Sequence, residues 1–574
     1  MALIGGFSAP VFSQENNIKI SGYVLDAQTH NPILYANIYN KTNHTGTITN
    51  DDGYFKLERL SVNDTLIFSF VGFEKLQIII TKPLINYTFT LQPKTEILDE
   101  FVITADNSFL FHMLSKCSKN YKTETQIAKT YFSLESSVNG KQVEMVESYY
   151  NGIFANGDVQ KLNLKQGRIA LQPFDSTLFI STETSKALDM HHVFKENQHF
   201  PKSPLELSKK KLKNLYNLRV ETRYLDDDSN PIYGIVFSPK NDASNLFKGQ
   251  VWIDSAHAQV VKINLQVLDA KTHPFLPLGN VDSLTNVELY ISKTYHPIDG
   301  KMYLKSMDFN YHIQYLTHQK KRVMVSTKAV LFAYDYTQQF QLPFFKFTSS
   351  RYEDYQKINA TPYNQFFWEN INEFGMISVK DANTNFVNNQ AILTNETLFL
   401  GNDYLENGLF EKPYVTWNTN RISFKKTHPQ HTVYKSNLGG VPSEQYHLSA
   451  QIYCDINFLN DSLNVITSTF FDPFQSFYYL DLDSFGMAFI NLYFDLVEVY
   501  RREFIQAIEN ENNRELLTKA YHLNQEKLYQ AQKQFFKDVQ HGTNEDGMKK
   551  WNQIIFKKLR IDNLEFFKIY EVNN

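Results

Sequence analysis

A catalytic zinc needs three convergent ligands and an open position for water. None of the sixteen histidines stands in an H-E-x-x-H or H-x-x-E spacing that would set two ligands on one helix face. His191-His192 is the adjacent pair, and consecutive side chains diverge on a helix or a strand, so the pair reads as loop. Nucleophilic chemistry has no clearer signature. No G-x-S-x-G elbow occurs, and the S-x-x-K matches at Ser208 to Lys211 and Ser423 to Lys426 sit in Lys-rich stretches without an S-D-N companion. Walker and G-x-G-x-x-G loops are missing as well. Cys117 and Cys454 lie far apart, so the chain holds no disulfide framework and the pair reads as two buried free thiols. The sequence assigns no catalytic, metal or cofactor residue, and no cofactor. Carboxylates distant in sequence still leave an acid–base site open.

The elements that would carry any site follow from composition and pattern. At roughly 100–200 residues per domain, 574 residues make a multidomain chain. With 57 Lys plus Arg against 61 Asp plus Glu the net charge is −4, which removes a global electrostatic reason for a nucleic-acid partner. The 46 Phe and 34 Tyr suit pleated, half-buried surfaces and lean the chain towards β structure. No stretch approaches the roughly 18 apolar residues of a membrane-spanning helix. Residues 1–14 read as a truncated signal peptide: an apolar Met1 to Phe7, then Val11 and Ser13 at −3 and −1 to a cleavage before Gln14. No Cys follows that site, so a lipid anchor is not indicated. The expected location is exported, in the periplasm or associated with the outer membrane.

Residues 15–93 show about seven short strands: Ile18 to Val24, Ile33 to Tyr39, Thr47 to Thr49, Tyr54 to Leu57, Thr65 to Val71, Leu76 to Ile80 and Tyr87 to Leu91. Turn clusters separate them at Asp26 to Pro32 and Asn50 to Gly53, as in a small β-sandwich. Ser21-Gly22-Tyr23-Val24-Leu25-Asp26, Asn31-Pro32-Ile33, Ala36-Asn37-Ile38, Gly46-Thr47, Thr49 to Phe55 and Phe68 to Phe73 resemble, in order, the carboxypeptidase-regulatory-like domain. Leu98 to Ala105 resembles the segment that follows it. The resemblance implies a transthyretin-like sandwich of seven strands, an accessory module without catalytic zinc. It commonly begins envelope proteins of Gram-negative bacteria, including TonB-dependent receptors. A receptor would continue into a plug and a barrel of roughly 22 strands, which the remaining length does not provide. Asp51 and Asp52 could be read as a calcium loop, but such a loop needs further oxygen ligands, and a hairpin turn is the expectation.

After a linker at 94–105, residues 106–350 form a β-rich body. A short helix is expected from Phe109 to Tyr121. Strands follow at Thr130 to Ser137, Lys141 to Ile153, Val159 to Gln166 and Arg168 to Gln172, then a polar, partly helical stretch from His191 to Leu218. Strands resume at Ile232 to Phe237, Gly249 to Asp254, Gln259 to Leu268, Val287 to Ile291, Met302 to Gln314 and Arg322 to Tyr336. This large antiparallel pattern is similar to the half-barrel of the lipoprotein-carrier type, and to the middle of larger envelope proteins bearing the same sandwich. Residues 351–483 are an aromatic mixed region, with Tyr363 to Trp368 and Tyr414 to Asn418 readable as a sugar platform or, more commonly, as core. Residues 484–574 are helical, with helices from Ser484, from Arg514 to Val539 and from Met548 to Leu559.

The expected fold is thus multidomain and mainly β with a helical C-terminus. The expected function is a non-enzymatic, exported cell-envelope protein, a binding or assembly scaffold whose partner is an envelope protein or a glycan or lipid ligand. Two alternatives stand beside it: an envelope hydrolase acting on peptide or glycan, and a lipid or lipoprotein carrier using the middle sheet.

Overall fold

The computed structural model describes residues 18–94, 107–171, 191–347, 357–371, 414–422, 446–478 and 482–569, apart from short breaks, plus a few isolated positions. The expected signal at 1–14, the segment Leu98 to Ala105, His44, Asp51 and Ser423 to Lys426 lie outside the described residues.

Seven strands build the N-terminal sandwich: β1 (Ile18–Asp26), β2 (Asn37–Asn40), β3 (Thr45–Ile48), β4 (Tyr54–Leu60), β5 (Thr65–Ser69), β6 (Leu76–Ile79) and β7 (Leu84–Leu91). One sheet runs β4-β1-β7 and the other β3-β2-β5-β6. Alternate residues Ile20, Val24, Phe55, Phe68, Phe89 and Leu91 point between them and are buried. Phe68 and Phe89 stack at 4.6 Å between ring centroids. Gly22 lets β1 approach β7, because a Cβ there would lie 1.8 Å from the Tyr87 carbonyl oxygen. Asn50 closes the turn before β4 by accepting from the backbone N–H of Asp52 and Tyr54.

The body is one ten-stranded antiparallel sheet made of β8 (Gln126–Val138), β9 (Lys141–Ala155), β10 (Asp158–Leu171), β11 (Tyr216–Leu225), β12 (Pro231–Pro239), β13 (Lys248–Asp254), β14 (Gln259–Val267), β15 (Ser283–Ile298), β16 (Lys301–Leu316) and β17 (Arg322–Asp335). Its order is β10-β9-β8-β17-β16-β15-β14-β13-β12-β11. After β10 the chain crosses to the far edge and meanders back, so that β17 closes against β8. The crossing covers one face. Helix α1 (Ser108–Asn120) and helix α2 (Lys209–Leu215), with Val193, Phe200 and Leu205, bury Val251, Ile263, Ile291, Phe309 and Leu331 in one apolar cluster.

Two local readings change. The pieces expected at Val159 and Arg168 belong to one strand, β10, in which Leu164 pairs with Tyr150 and Gln166 with Tyr149, leaving Lys165 as an inserted bulge residue. The stretch expected to stay polar up to Leu218 already turns into strand at Tyr216. β11 is an edge strand, and its exposed Asn217 and Arg219 hide the alternation of Tyr216 and Leu218.

The C-terminal part contains helix α3 (Gln365–Asn370), strands β18 (Val415–Thr416), β19 (Tyr446–His447), β20 (Ala450–Leu459), β21 (Ser462–Phe471) and β22 (Phe477–Tyr478), then helices α4 (Ser484–Ile508), α5 (Arg514–Val539), α6 (Glu545–Leu559) and α7 (Asn563–Phe566). Side-chain caps start the long helices: Asp483 accepts from Gly486 N, Asn513 from Glu515 N and Leu516 N, and Asn544 from Gly547 N. The α6 cap sets its start at Glu545, three residues before the expected Met548. Helix α4 is buried on nearly all sides, at Ala488, Phe489, Ile490, Leu492 and Val497 among others, as a central helix must be. Its cluster also takes in Ile452, Cys454 and Ile456 of β20, so one core spans the expected boundary at residue 484.

Candidate functional site

The residues singled out by type take structural places. Cys117 and Cys454 are buried, and burial pushes both thiols up to about 12. Ser208 caps α2 by accepting from Lys211 N. His191 is fully buried against Phe200 and Phe247, and desolvation holds it well below the usual histidine range. His192 Nδ1 lies 3.2 Å from Asp158 Oδ2. Asp158 also accepts from the fully buried Lys293 at 2.7 Å, and Lys293 in turn donates to the His191 carbonyl at 2.9 Å. This ion pair lies inside the apolar cover. Despite the cost of burying Asp158, the Lys293 charge keeps its carboxyl below the usual range. The aromatic stretches are core: Phe367 and Tyr414 are buried, Trp368 stacks under Arg168 at 4.3 Å, and Trp417 Nε1 donates to Asp495 at 2.8 Å. Among the described residues no group of three or more His, Cys, Asp or Glu is placed to hold a metal.

The feature with room for a ligand lies on the opposite face of the ten-stranded sheet. Over β8, β9 and β17 that face is covered, where Tyr131, Tyr149 and Phe332 share a cluster with Phe367 and with Ile48 of the sandwich. Over β13 to β16 it faces a cleft of about 1170 Å³ whose second wall is the sandwich. The two walls are tied at the rim. Lys75 and Lys94 both reach Asp227, in the β11–β12 turn, at 2.7 Å. Inside, the Lys262 ammonium sits 4.4 Å over the Phe70 ring and 5.4 Å from that of Trp252.

The floor is polar because strand alternation puts it there. Val251, Ile263, Ile291 and Phe309 point to the apolar cover, so Gln250, Lys262, Asn264, Ser292, Asp308 and Asn310 point to the cleft. Ser292 donates to Asn264 Oδ1 at 2.9 Å, which turns the Asn264 amide N–H groups towards other acceptors. Lys305 joins this floor by a different route. Thr294 pairs with Ser306 and Tyr295 with Leu304, so Lys305 is an inserted residue. Leu304 and Met307 stay in the apolar cluster while Lys305, Ser306 and Asp308 all line the cleft. Desolvation, with repulsion from Lys75, pushes the Lys305 ammonium down to about 8. Burial also holds Lys262 below the usual lysine range, and the Asp308 charge opposes that shift.

None of Lys262, Lys305 or Asp308 stood out in the sequence. The polar alternation of β15 and β16 was readable, but a bulge that brings a lysine to the wrong face leaves no mark in residue types.

Residues 20–103 match the family model of the CarboxypepD_reg-like domain. The chain is 32% identical over 103 residues to the TonB-dependent receptor SusC of Bacteroides thetaiotaomicron, a stretch that is 18% of this chain and 10% of the receptor. The chain therefore spans about a tenth of the length of that relative. Among solved structures, an outer membrane lipoprotein-sorting protein domain from Vibrio parahaemolyticus overlaps 43% of this chain and 96% of its own, at 14% identity and a TM-score of 0.19. A LolA superfamily protein from Nitrosomonas europaea overlaps 38% and 91%, at 7% identity and a TM-score of 0.13. Neither overlap is close enough to transfer a ligand site.

Proposed function

We propose that this chain is a non-enzymatic, exported binding protein of the bacterial cell envelope that holds a glycan between its N-terminal sandwich and the outer face of its ten-stranded sheet. The observation that carries the reading is the cleft of about 1170 Å³, walled by two separate units and floored by amides and hydroxyls interspersed with the charges of Lys262, Lys305 and Asp308. Its size suits a ligand at or above the upper range of small-molecule pockets. The envelope setting rests on the family match of the sandwich and on the receptor that shares it. A peptide is the weaker occupant. Extended peptides add to a sheet edge, whereas β13 to β16 are interior strands already hydrogen-bonded on both sides. Beside those charges the floor offers the amides of Gln250, Asn264 and Asn310 and the hydroxyl of Ser292, which suit a ligand rich in hydroxyls, with Tyr290 as a ring on which a sugar can lie. The carrier alternative would place an acyl chain on the apolar face, but α1, α2, Val193 and Phe200 occupy that face.

The test is binding of the full chain to a glycan array holding neutral, uronate, sulfated and phosphorylated sugars, beside a Ser292→Trp variant that fills the floor. Saturable binding that the variant loses supports the reading. Absence of any bound glycan, or unchanged binding by the variant, refutes it. Shortening of the bound glycans would promote the hydrolase.

A further inference from the structure

Lys305 and Lys262 are half-buried cations of the cleft, and among the described residues neither ammonium makes a hydrogen bond or ion pair; Lys305 has no ring against it either. The neighbouring cations are engaged: Lys75 and Lys94 share Asp227, and Lys262 lies over the Phe70 ring and feels the Asp308 charge. A partly desolvated ammonium without a protein partner has lost some of its water and gained no countercharge in return. The β-bulge makes this placement a local choice of the fold. Leu304 and Met307 both stay in the apolar cluster, and the insertion between them sets two consecutive residues, Lys305 and Ser306, side by side in the ligand space. Lys75, on the facing wall, raises the positive potential at the same place.

Resting on the glycan reading above, we infer that the glycan is acidic and that an oxyanion of one sugar, a carboxylate, sulfate or phosphate ester, seats on Lys305 at the β16 bulge, facing Lys75 across the cleft. The oxyanion would supply the charge-assisted hydrogen bonds that the protein itself does not. The hydroxyls of the same or the next sugar would reach Ser292 and Asn264. The downward shift of the Lys305 ammonium is consistent with a cation that awaits its counterion.

The array above distinguishes the sources of the oxyanion, because its uronate, sulfated and phosphorylated arms are read separately against neutral sugars of the same backbone. The full chain is compared with Lys305→Gln and with Lys527→Gln, a control on the exposed side of α5. Lys305→Gln orphans no described partner and removes a partly desolvated charge, so its melting temperature should equal or exceed the parent's, and a melt is recorded for each protein. Acidic glycans should bind at least about tenfold more tightly than neutral ones, the share of one charge-assisted hydrogen bond. Lys305→Gln should erase that preference and Lys527→Gln should keep it. A neutral preference, or an acidic preference that survives Lys305→Gln, overturns the inference and leaves the glycan reading standing. If no glycan binds, both fall. If polyglutamate displaces acidic glycans at equal charge concentration, the site answers to charge alone and the inference is overturned.

Discussion

Asp455 fastens the C-terminal unit to the body, and Asp455→Ala should open that seam. The carboxylate is fully buried and accepts from Lys165 Nζ at 2.5 Å, Gln166 Nε2 at 2.9 Å, Asn457 Nδ2 at 2.9 Å and Asn364 Nδ2 at 3.3 Å. Lys165 is itself the bulge residue of β10, and after the substitution the acceptor left to it among the described residues is the Gln341 carbonyl at 2.7 Å. Removing one partner of a buried pair costs about 3–5 kcal/mol, because the other charge stays buried without compensation. The Asn364 and Asn457 amides lose this acceptor, Gln166 keeps the Tyr453 hydroxyl at 3.4 Å, and a site with no exposure readmits no water. A chain of several units does not unfold in one step, so the assay is native-state hydrogen exchange at the β10 and β20 amides, which reads the local opening free energy. The pH dependence has a definite sign. Desolvation already holds Lys165 below the usual lysine range, with Asp455 opposing. Without Asp455 the folded state binds this proton less readily than the unfolded state, so stability of the variant rises as pH climbs from 7 towards 10. Lys165→Met combined with Asp455→Asn removes both charges and keeps an acceptor for the amides, and should recover to within about 1–2 kcal/mol of the parent. A loss under about 1 kcal/mol for Asp455→Ala, or a double variant as damaged as the sum of its singles, would show that the pair does not hold the seam.

The affinity of the cleft for an acidic glycan should fall as pH rises through about 8, because Lys305 loses its charge there, and a titration series from pH 6.5 to 9 checks it. His296, pushed down to about 4 by burial, stays neutral over that window, whereas Asp254 raises the cleft-lining His257 above the usual histidine range, so the series is repeated on Lys305→Gln; a flat profile, or one that the variant keeps, would remove Lys305 from the site. Gly22→Ala should destabilise the sandwich by about 1–3 kcal/mol, since its Cβ would meet the Tyr87 carbonyl oxygen, and thermal melting of residues 15–93 reads it; an unchanged melt would mean that β1 and β7 separate freely. Native protein at pH 8 should leave Cys117 and Cys454 unalkylated by iodoacetamide, with both labelled after denaturation, as intact mass reports; rapid native labelling would contradict their burial.

Much of this architecture is written locally. The period-2 pattern of Ile18 to Leu91 and the turn at Asn50 to Gly53 specify a small sandwich, because alternation and turn chemistry act over a few residues. The three long helices from Ser484 onward are set in the same way, by caps at Asp483, Asn513 and Asn544 and by their apolar residues. The order of the ten strands, with β17 closing on β8 after a crossing of the whole sheet, depends on pairings far apart in sequence and has no local signature. The same holds for the cleft. Lys305 is one lysine among many until the offset between Thr294–Ser306 and Tyr295–Leu304 turns it to the outer face, and Asp455 is an ordinary carboxylate until β10 brings Lys165 to it. Residue type and spacing decided the elements, because those rest on backbone geometry and nearest neighbours. Which charges ended up facing one another was decided only by register and by the docking of separate units.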